Sequence, residues 1–359
     1  MTPYALIPIL MDEYYLSVIQ VSLLTSIPRI VQLTLSIPSG LLADKFRAGK
    51  LIFLSLFLSA IAGLIIFIDH SIWGLIIGFT LIAASSTFYH PPALSAVSKI
   101  LPENFRSRGL GLHGSSGLLG ISLGPITIGL LLNLLGWRFA YLIWIPPIIF
   151  GALLSLLIKV DFERKREKRF KFTTPLRKVF SLTFILFLLF ISARSAAGSS
   201  ISTFATTYLT KGRGVEFGLA SIVYGLSPLI GLIGPIIGGW LGDKFGWRKS
   251  FIMVIIGMII FLIGVAISPL IILTFTFYLL FIITSNMTTP LSTTLISLIV
   301  GEEARGTAYS MYFLPMSLSG IFMPIIASIF IDNYGLWTIF PLSIILYLTS
   351  IVLLYLIRI

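Results

Sequence analysis

The sequence predicts an all-α polytopic membrane protein made of two parallel six-helix repeats, in which the first helix is truncated to a stub. Hydrophobic residues make up 57% of the 359 residues and charged residues only 11%. Soluble domains contain less apolar and more than twice as much charged sequence. Apolar runs of membrane-spanning length recur from end to end, and a similar polar loop occurs twice, at residues 40–50 and 239–249.

Eleven apolar runs, bounded by charged or turn-rich breaks, are long enough to cross the hydrocarbon core of a bilayer. A shorter apolar stub at residues 3–11 precedes them. The eleven predicted full spans cover residues 17–43, 50–68, 72–99, 109–132, 139–158, 181–208, 219–241, 250–267, 271–299, 308–330 and 338–357.

The stub corresponds to an incomplete first helix. Helix 181–208, shifted back by the distance between the two loops, begins before Met1. At about 1.5 Å per residue, residues 3–11 cover less than half of a hydrocarbon core about 30 Å thick. We expect the start of this helix to be encoded upstream of a wrongly assigned start codon, with a truncated gene as the alternative.

A constant offset of 199 residues relates the two halves over five helices, as expected for parallel repeats of six helices each. The offset predicts an N-terminal transmembrane half at 1–158, a basic linker at 159–180 and a C-terminal transmembrane half at 181–359. The matching pairs are Asp44 and Asp243, Pro91 and Pro290, Glu103 and Glu302, Arg106 and Arg305, Pro125 and Pro324, Asn133 and Asp332, and Gly136 and Gly335.

The basic residues predict the orientation in the cell membrane. Of the 25 lysines and arginines, twenty fall in loops on one side, whereas only Arg138, Lys211 and Arg213 fall on the other. Cytoplasmic loops carry the excess of basic residues, so the linker and the C-terminus are predicted to be cytoplasmic. The net charge of +12 therefore reflects topology, and we expect the lipid bilayer rather than nucleic acid as the partner. The linker is interpreted as a topogenic loop, with binding along anionic headgroups as the alternative.

The repeated loop carries glycine, aspartate and basic residues at matching places. Glycine permits close helix approach, while aspartate can cap a neighbouring helix N-terminus or pair with the basic residues. Such contacts can form in one conformation and break in another, which favours a gate over a simple tight turn. The predicted gating residues are Gly40, Asp44, Lys45 and Lys50 in the first copy and Gly239, Asp243, Lys244 and Arg248 in the second.

A pattern of small residues with one proline follows in the fifth helix. Small residues at helical spacing permit close packing, and proline disturbs a helix within the membrane. An ordinary packing seam is the alternative to a functional motif. The residues are Gly111, Gly120, Gly124, Pro125 and Gly129.

These motifs resemble those of the major facilitator superfamily. The loops are similar to its signature between helices 2 and 3, although in the first copy Arg47 takes the place of the usual internal glycine, which has moved to Gly49. The fifth-helix pattern resembles the superfamily's antiporter motif, except at Ile128. Residues 88–125 and the segment around Arg194 resemble the fosmidomycin-resistance type of drug exporter. The resemblance implies a major facilitator fold, alternating access and drug efflux by antiport.

Two arginines, Arg29 and Arg194, lie inside predicted helices, where a charge is costly unless it faces water or a partner. Arginine presents forked donors to phosphate, phosphonate or carboxylate, and no acidic residue falls inside a predicted span. These arginines therefore favour an anionic or amphipathic small-molecule substrate; bonds to backbone carbonyls or to an acid in the missing part of helix 1 are the alternatives. The predicted substrate-binding residues are Arg29, Arg194, His90, Gln32 and Ser202.

The predicted function is secondary transport of a small solute by alternating access, with proton-coupled drug efflux as the expected form. Histidine ordinarily changes charge near neutral pH, so His90 is the predicted proton carrier, with the unread part of helix 1 as the alternative. An importer or exchanger of organic anions or phosphate esters remains open, and a non-transporting receptor is a third reading. With no cysteine and three scattered histidines, we expect no metal, no cofactor and no enzymatic activity. We expect a monomer.

Overall fold

The computed structural model describes residues 3–43, 46–158, 181–300 and 305–357. These residues form helices joined by short turns, and they include no β-strand. The twelve helices are α1 Ile7–Glu13, α2 Val18–Ala43, α3 Ala48–Ile68, α4 Ile72–Ile100, α5 Glu103–Leu135, α6 Phe139–Ser155, α7 Leu182–Thr207, α8 Phe217–Phe245, α9 Trp247–Ile267, α10 Ile271–Ile299, α11 Arg305–Tyr334 and α12 Ile339–Leu356.

The prediction of an all-helical chain with many membrane spans is confirmed. Ten helices in the described ranges are long and apolar enough to cross a bilayer. The fifth predicted span, residues 139–158, is the exception, because its helix α6 ends at Ser155 after 17 residues. The stub is also confirmed as short, since α1 has only 7 residues and follows a 3-10 turn at Pro3–Leu6.

Local chemistry explains where several helices begin or break. Ser71 and Ser181 each precede a helix, and their hydroxyl oxygens accept hydrogen bonds from the backbone N–H of Gly74 and Phe184, as N-cap residues do. Helix α8 is interrupted at Leu232. Pro235 lies three residues further on and supplies no backbone N–H, so the carbonyl of Gly231 has no helical donor there.

The internal repeat is visible in backbone geometry. Helix α5 ends at Gly136 with φ +88°, and α11 ends at Gly335, 199 residues later, with φ +93°. Left-handed backbone of this kind favours glycine. The two helices therefore end in the same way, as parallel repeats require.

The described residues form two compact units. In the second, α7 packs against α11 and α12, while α10 packs against α8 and α9. Its core contains the fully buried rings of Phe184, Phe187, Phe190 and Phe251. Residues Tyr4–Ser22 also pack in this unit, although they fall within the predicted N-terminal half. There, Thr206 donates a 3.0 Å hydrogen bond to the carbonyl of Tyr4.

In the first unit, α3 packs against α4 and α6. A glycine allows α3 and α6 to approach closely, because a Cβ at Gly49 would lie 2.4 Å from the carbonyl oxygen of Ser155. Helix α5 contacts α4 and α6, but one side of it borders a cavity of about 180 Å³. In the second unit, α7 packs on α11 and α12. In the described part of the first unit, no helix occupies the equivalent place against α5 and α6.

Candidate substrate site

Arg194 lies in the middle of α7 and is only 8% exposed. Its Nη1 donates a 2.8 Å hydrogen bond to the hydroxyl oxygen of Thr288 on α10. Its buried Nε has no hydrogen-bond partner in the described structure. The guanidinium therefore keeps donor capacity that its described neighbours do not use.

Tyr347 of α12 is adjacent to this arginine. It is fully buried, and its hydroxyl also has no hydrogen-bond partner in the described structure. The hydroxyl lies near enough to Arg194 to interact with its charge, and a Cβ at Gly198 would be 3.5 Å from it. Helices α7, α10 and α12 thus bring Arg194, Thr288 and Tyr347 together in the second unit.

This arrangement has an excess of positive charge and of hydrogen-bond donors. The described acidic residues of the unit lie at helix ends or in turns: Asp12, Glu13, Glu216, Asp243 and Asp332. A buried arginine without an opposite charge is costly. An anion with forked oxygen acceptors, such as a carboxylate, phosphate or phosphonate, would compensate it.

The other predicted binding residues have less distinctive surroundings. Ser202, half-buried on α7, donates to the carbonyl of Ser199 at 3.3 Å. Arg29, Gln32 and His90 belong to the first unit. Arg29 and His90 have exposed side chains, and Gln32 is half-buried.

Sequence reasoning missed three polar residues of these regions, namely Thr288, Tyr347 and His113. The Tyr89 ring stacks on His113 of α5, with centroids 5.9 Å apart, and meets the edge of His90 at 5.7 Å. A second histidine in a neighbouring apolar span could have been noticed from sequence. The pairing of Arg194 with Thr288 and Tyr347 could not, because these residues lie far apart in the chain.

The predicted gating loops are only partly described. Asp44 and Lys45 lie outside the described residues, and Lys50 is exposed at the start of α3. Close approach at Gly40 and Gly239 was expected in one conformation of the gate; in this structure a Cβ at either position would meet no atom within 4 Å. The close contact is at Gly238, where a Cβ would lie 2.1 Å from the carbonyl oxygen of Met287 on α10.

The charged residues of the second loop do not pair in the expected way. Asp243 is exposed, and no ion pair joins it to another described residue. Arg248 instead donates to the backbone carbonyl of Ile357, where a cation stabilises the C-terminal end of a helix. Lys244 lies over the Trp240 ring, 4.8 Å from its centroid.

The residues of the glycine pattern in α5 lie in two different environments. Gly124, Pro125 and Gly129 are buried. By contrast, a Cβ at Gly111 or Gly120 would meet no atom within 4 Å, so the close packing expected there is not found. Gly120 and Gly124 line the cavity described above. At the position equivalent to Gly120, Ser319 of α11 donates a 3.3 Å hydrogen bond to the carbonyl of Ser192 on α7.

Comparisons with known sequences agree with this architecture. The sequence model of the Major Facilitator Superfamily matches residues 1–288. An efflux pump, FUB11 of Gibberella fujikuroi, is 33% identical over 147 residues, which cover 36% of this chain and 22% of that protein. A putative multidrug resistance protein, MdtD of Escherichia coli, is 26% identical over 130 residues, covering 36% of this chain and 28% of that protein. The chain therefore spans less than a third of the length of either relative.

A solved structure matches over nearly the whole chain. It is a bacterial homologue of the human lysosomal transporter Spinster, in an inward-facing and occupied conformation. The TM-score is 0.79 at 18% sequence identity, and the match covers 99% of this chain and 90% of that one. At this identity the match establishes the fold.

Proposed function

Because the chain belongs to the major facilitator superfamily, we propose that it is a secondary transporter that exports a small anionic or amphipathic solute by alternating access, coupled to protons. The observation that carries the substrate class is the buried Arg194, whose Nε has no hydrogen-bond partner in the described structure. A lipophilic cation would be repelled by this group, whereas an anion would complete its hydrogen bonds.

Within this proposal, Arg194 binds the anion and Thr288 holds the guanidinium in place. Arg29, Gln32, His90 and Ser202 contribute further polar contacts to substrate. The two polar loops act as cytoplasmic gates, and Arg248 supports its loop by bonding the end of α12. The linker and the C-terminus are cytoplasmic, and the working unit is a monomer.

Export is favoured over import by two lines of support. Relatives that match part of this chain are named efflux or multidrug resistance proteins. The fifth helix also carries most of the pattern that resembles the antiporter motif, and Gly124, Pro125 and Gly129 of that pattern are buried.

Import of organic anions or phosphate esters with protons is the second candidate. Histidines are the side chains in the predicted membrane spans of this sequence whose ordinary pKa lies near neutral pH. A histidine gains positive charge with its proton, which strengthens binding of an anion. That sign of coupling favours movement of proton and anion in the same direction.

The test uses everted membrane vesicles with an imposed pH gradient, reported by a quenched fluorescent dye. Fosmidomycin, methylphosphonate and benzoate are added as anions, and tetraphenylphosphonium as a lipophilic cation. We expect anions to dissipate the gradient. Arg194→Gln should weaken anion binding by about 2 kcal/mol or more, roughly thirtyfold in affinity.

Arg108→Gln is the matched control, because Arg108 is an exposed arginine near the cytoplasmic start of α5. It should leave anion affinity unchanged. Arg194→Lys should recover only part of the affinity, since an ammonium cannot bind an anion with a planar fork. A response to the cation alone, or full anion affinity in Arg194→Gln, would contradict the proposed substrate class.

A further inference from the structure

Two histidines of the first unit meet around one tyrosine ring. His113 of α5 stacks on the face of Tyr89 with an angle of 18° between the rings, and His90 of α4 meets the same ring at 76°. The two imidazoles lie close enough for their charges to interact. One aromatic ring thus holds two titratable side chains from neighbouring helices.

Both histidines lie inside candidate membrane spans, His90 in Ile72–Ile100 and His113 five residues after the start of Arg108–Leu135. His90 precedes the cytoplasmic end of α4 at Ile100 by ten residues, and His113 follows the start of α5 at Glu103 by ten residues. At about 1.5 Å per residue, each is about 15 Å from its helix end. The remaining histidine, His70, lies in the turn between α3 and α4.

The sequence offers no carboxylate at this depth. None of its thirteen acidic residues falls in the interior of a predicted span. Histidine is the side chain whose ordinary charge change falls between about pH 5 and 8. His90 and His113 are therefore the groups in the membrane-spanning segments of this chain that can exchange a proton near neutral pH.

We propose that His90 and His113, held together by Tyr89, form a shared site that binds one proton during transport. The inference rests on the proposed function only in that the chain is a proton-coupled transporter, and it applies whether the anion is exported or imported. With one proton the pair carries a single positive charge. A second proton is opposed by repulsion between the imidazolium groups, so the pair takes up protons in two separate steps.

The charged neighbours reinforce this limit. Helices α3 and α5 pack on α4, and the described charged residues of the three helices are Lys50, Lys99 and Arg108. Glu103 and Arg106, whose side chains are not described, lie in the first turn of α5. Lys99 is nine residues from His90, about 14 Å along the helix, and Arg108 is five residues from His113, about 7.5 Å. The described charges are all cationic, which further opposes a second proton.

The site can be tested without any substrate. The full chain with His70→Gln retains only two histidines, so ¹⁵N-histidine labelling reports His90 and His113 alone. We expect two separated titration steps in the imidazole nitrogen spectra. Adding His113→Gln should leave one step, at a midpoint different from that of His90 in the pair.

Identical titration of His90 with and without His113 would overturn the shared site. If His113→Gln yields no folded protein, His90→Gln gives the reciprocal measurement on His113. Tyr89→Phe should preserve the coupled titration, because it keeps the ring, whereas Tyr89→Leu should weaken it.

Transport supplies the second readout. Proteoliposomes with a pH-sensitive dye inside are mixed with fosmidomycin, and solute flux and internal pH are recorded together. The double variant His90→Gln/His113→Gln should carry less fosmidomycin, because His90 also contacts substrate, and should lose the pH change per fosmidomycin moved, while His70→Gln keeps both flux and pH change. An unchanged pH signal per solute in the double variant would overturn the proposal. If the unaltered chain moves no anion, the proposed function fails, and the nitrogen titration still decides whether the pair shares a proton.

Discussion

At the scale of single residues, Tyr347 is the least expected member of the candidate substrate site. A buried hydroxyl without a partner costs free energy of folding, so an apolar ring would suit the fold better. Its position beside Arg194 gives the hydroxyl a use, as a second donor to a bound anion. Stability and binding therefore place opposite demands on this side chain.

Tyr347→Phe should separate these two demands. Removing the unpartnered hydroxyl should raise the free energy of unfolding by about 1 kcal/mol. Anion affinity should fall by about 1.5 kcal/mol or more, roughly tenfold, because a hydrogen bond to a charged group is lost. Thermal unfolding in detergent and anion binding by calorimetry measure the two effects.

Tyr278→Phe is the matched control, since Tyr278 is also buried and its hydroxyl lies near the Ser227 side chain, which can partner it. That variant should lose stability and leave anion affinity unchanged. A loss of stability in Tyr347→Phe comparable to that in Tyr278→Phe would show that the Tyr347 hydroxyl is satisfied within the fold.

At the scale of helices, small residues decide which pairs pack closely. Along α8, a Cβ at Gly234 would lie 2.3 Å from the carbonyl oxygen of Ile283, and one at Gly238 would lie 2.1 Å from that of Met287. Both acceptors belong to α10. The signature glycine, Gly239, points to open space instead. The face of α8 that packs on α10 therefore contains Gly238, one residue before Gly239 of the motif.

Neighbouring glycines provide a direct comparison. Gly238→Ala should destabilise the protein by about 1–3 kcal/mol, because the new methyl group meets backbone that cannot move without strain. Gly239→Ala should be neutral or stabilise by about 0.5–1 kcal/mol, since glycine is a weak helix former. Thermal unfolding of the two variants in the same detergent measures the difference. Equal melting temperatures would contradict the close contact between α8 and α10.

The extent of each helix was largely predictable from sequence, because apolar runs end at charged or turn-forming residues. Helix α3 begins at Ala48 and α10 ends at Ile299, within two residues of expectation. The interruption of α8 at Leu232 was missed, since the surrounding residues are uniformly apolar. Which side of a glycine-rich helix meets a neighbour was also missed, because that choice depends on packing between distant segments.

At the scale of the whole molecule, the parallel repeat was readable because matched residues keep one spacing of 199. The structure bears this out in the paired endings at Gly136 and Gly335. The association of Tyr4–Ser22 with the second unit was not readable. It depends on contacts between distant residues, such as the ion pair of Asp12 and Lys211, which no local sequence pattern predicts.

The predicted orientation can be tested because the chain contains no cysteine. His70→Cys introduces a thiol in the turn between α3 and α4, and Phe170→Cys introduces one in the basic linker. A membrane-impermeant maleimide should label His70→Cys in intact cells and Phe170→Cys only after the membrane is permeabilised, because basic loops stay in the cytoplasm. The reverse labelling would invert the topology.

The glycine contacts of α8 also bear on how this protein can move. Main-chain atoms of α8 and α10 lie so close at Gly234 and Gly238 that sliding one helix past the other would bring the glycines out of register. Packed elements of this kind are displaced together rather than deformed. We therefore expect the two helices to move as one rigid unit, and any bending during the proposed transport cycle to occur outside their contact.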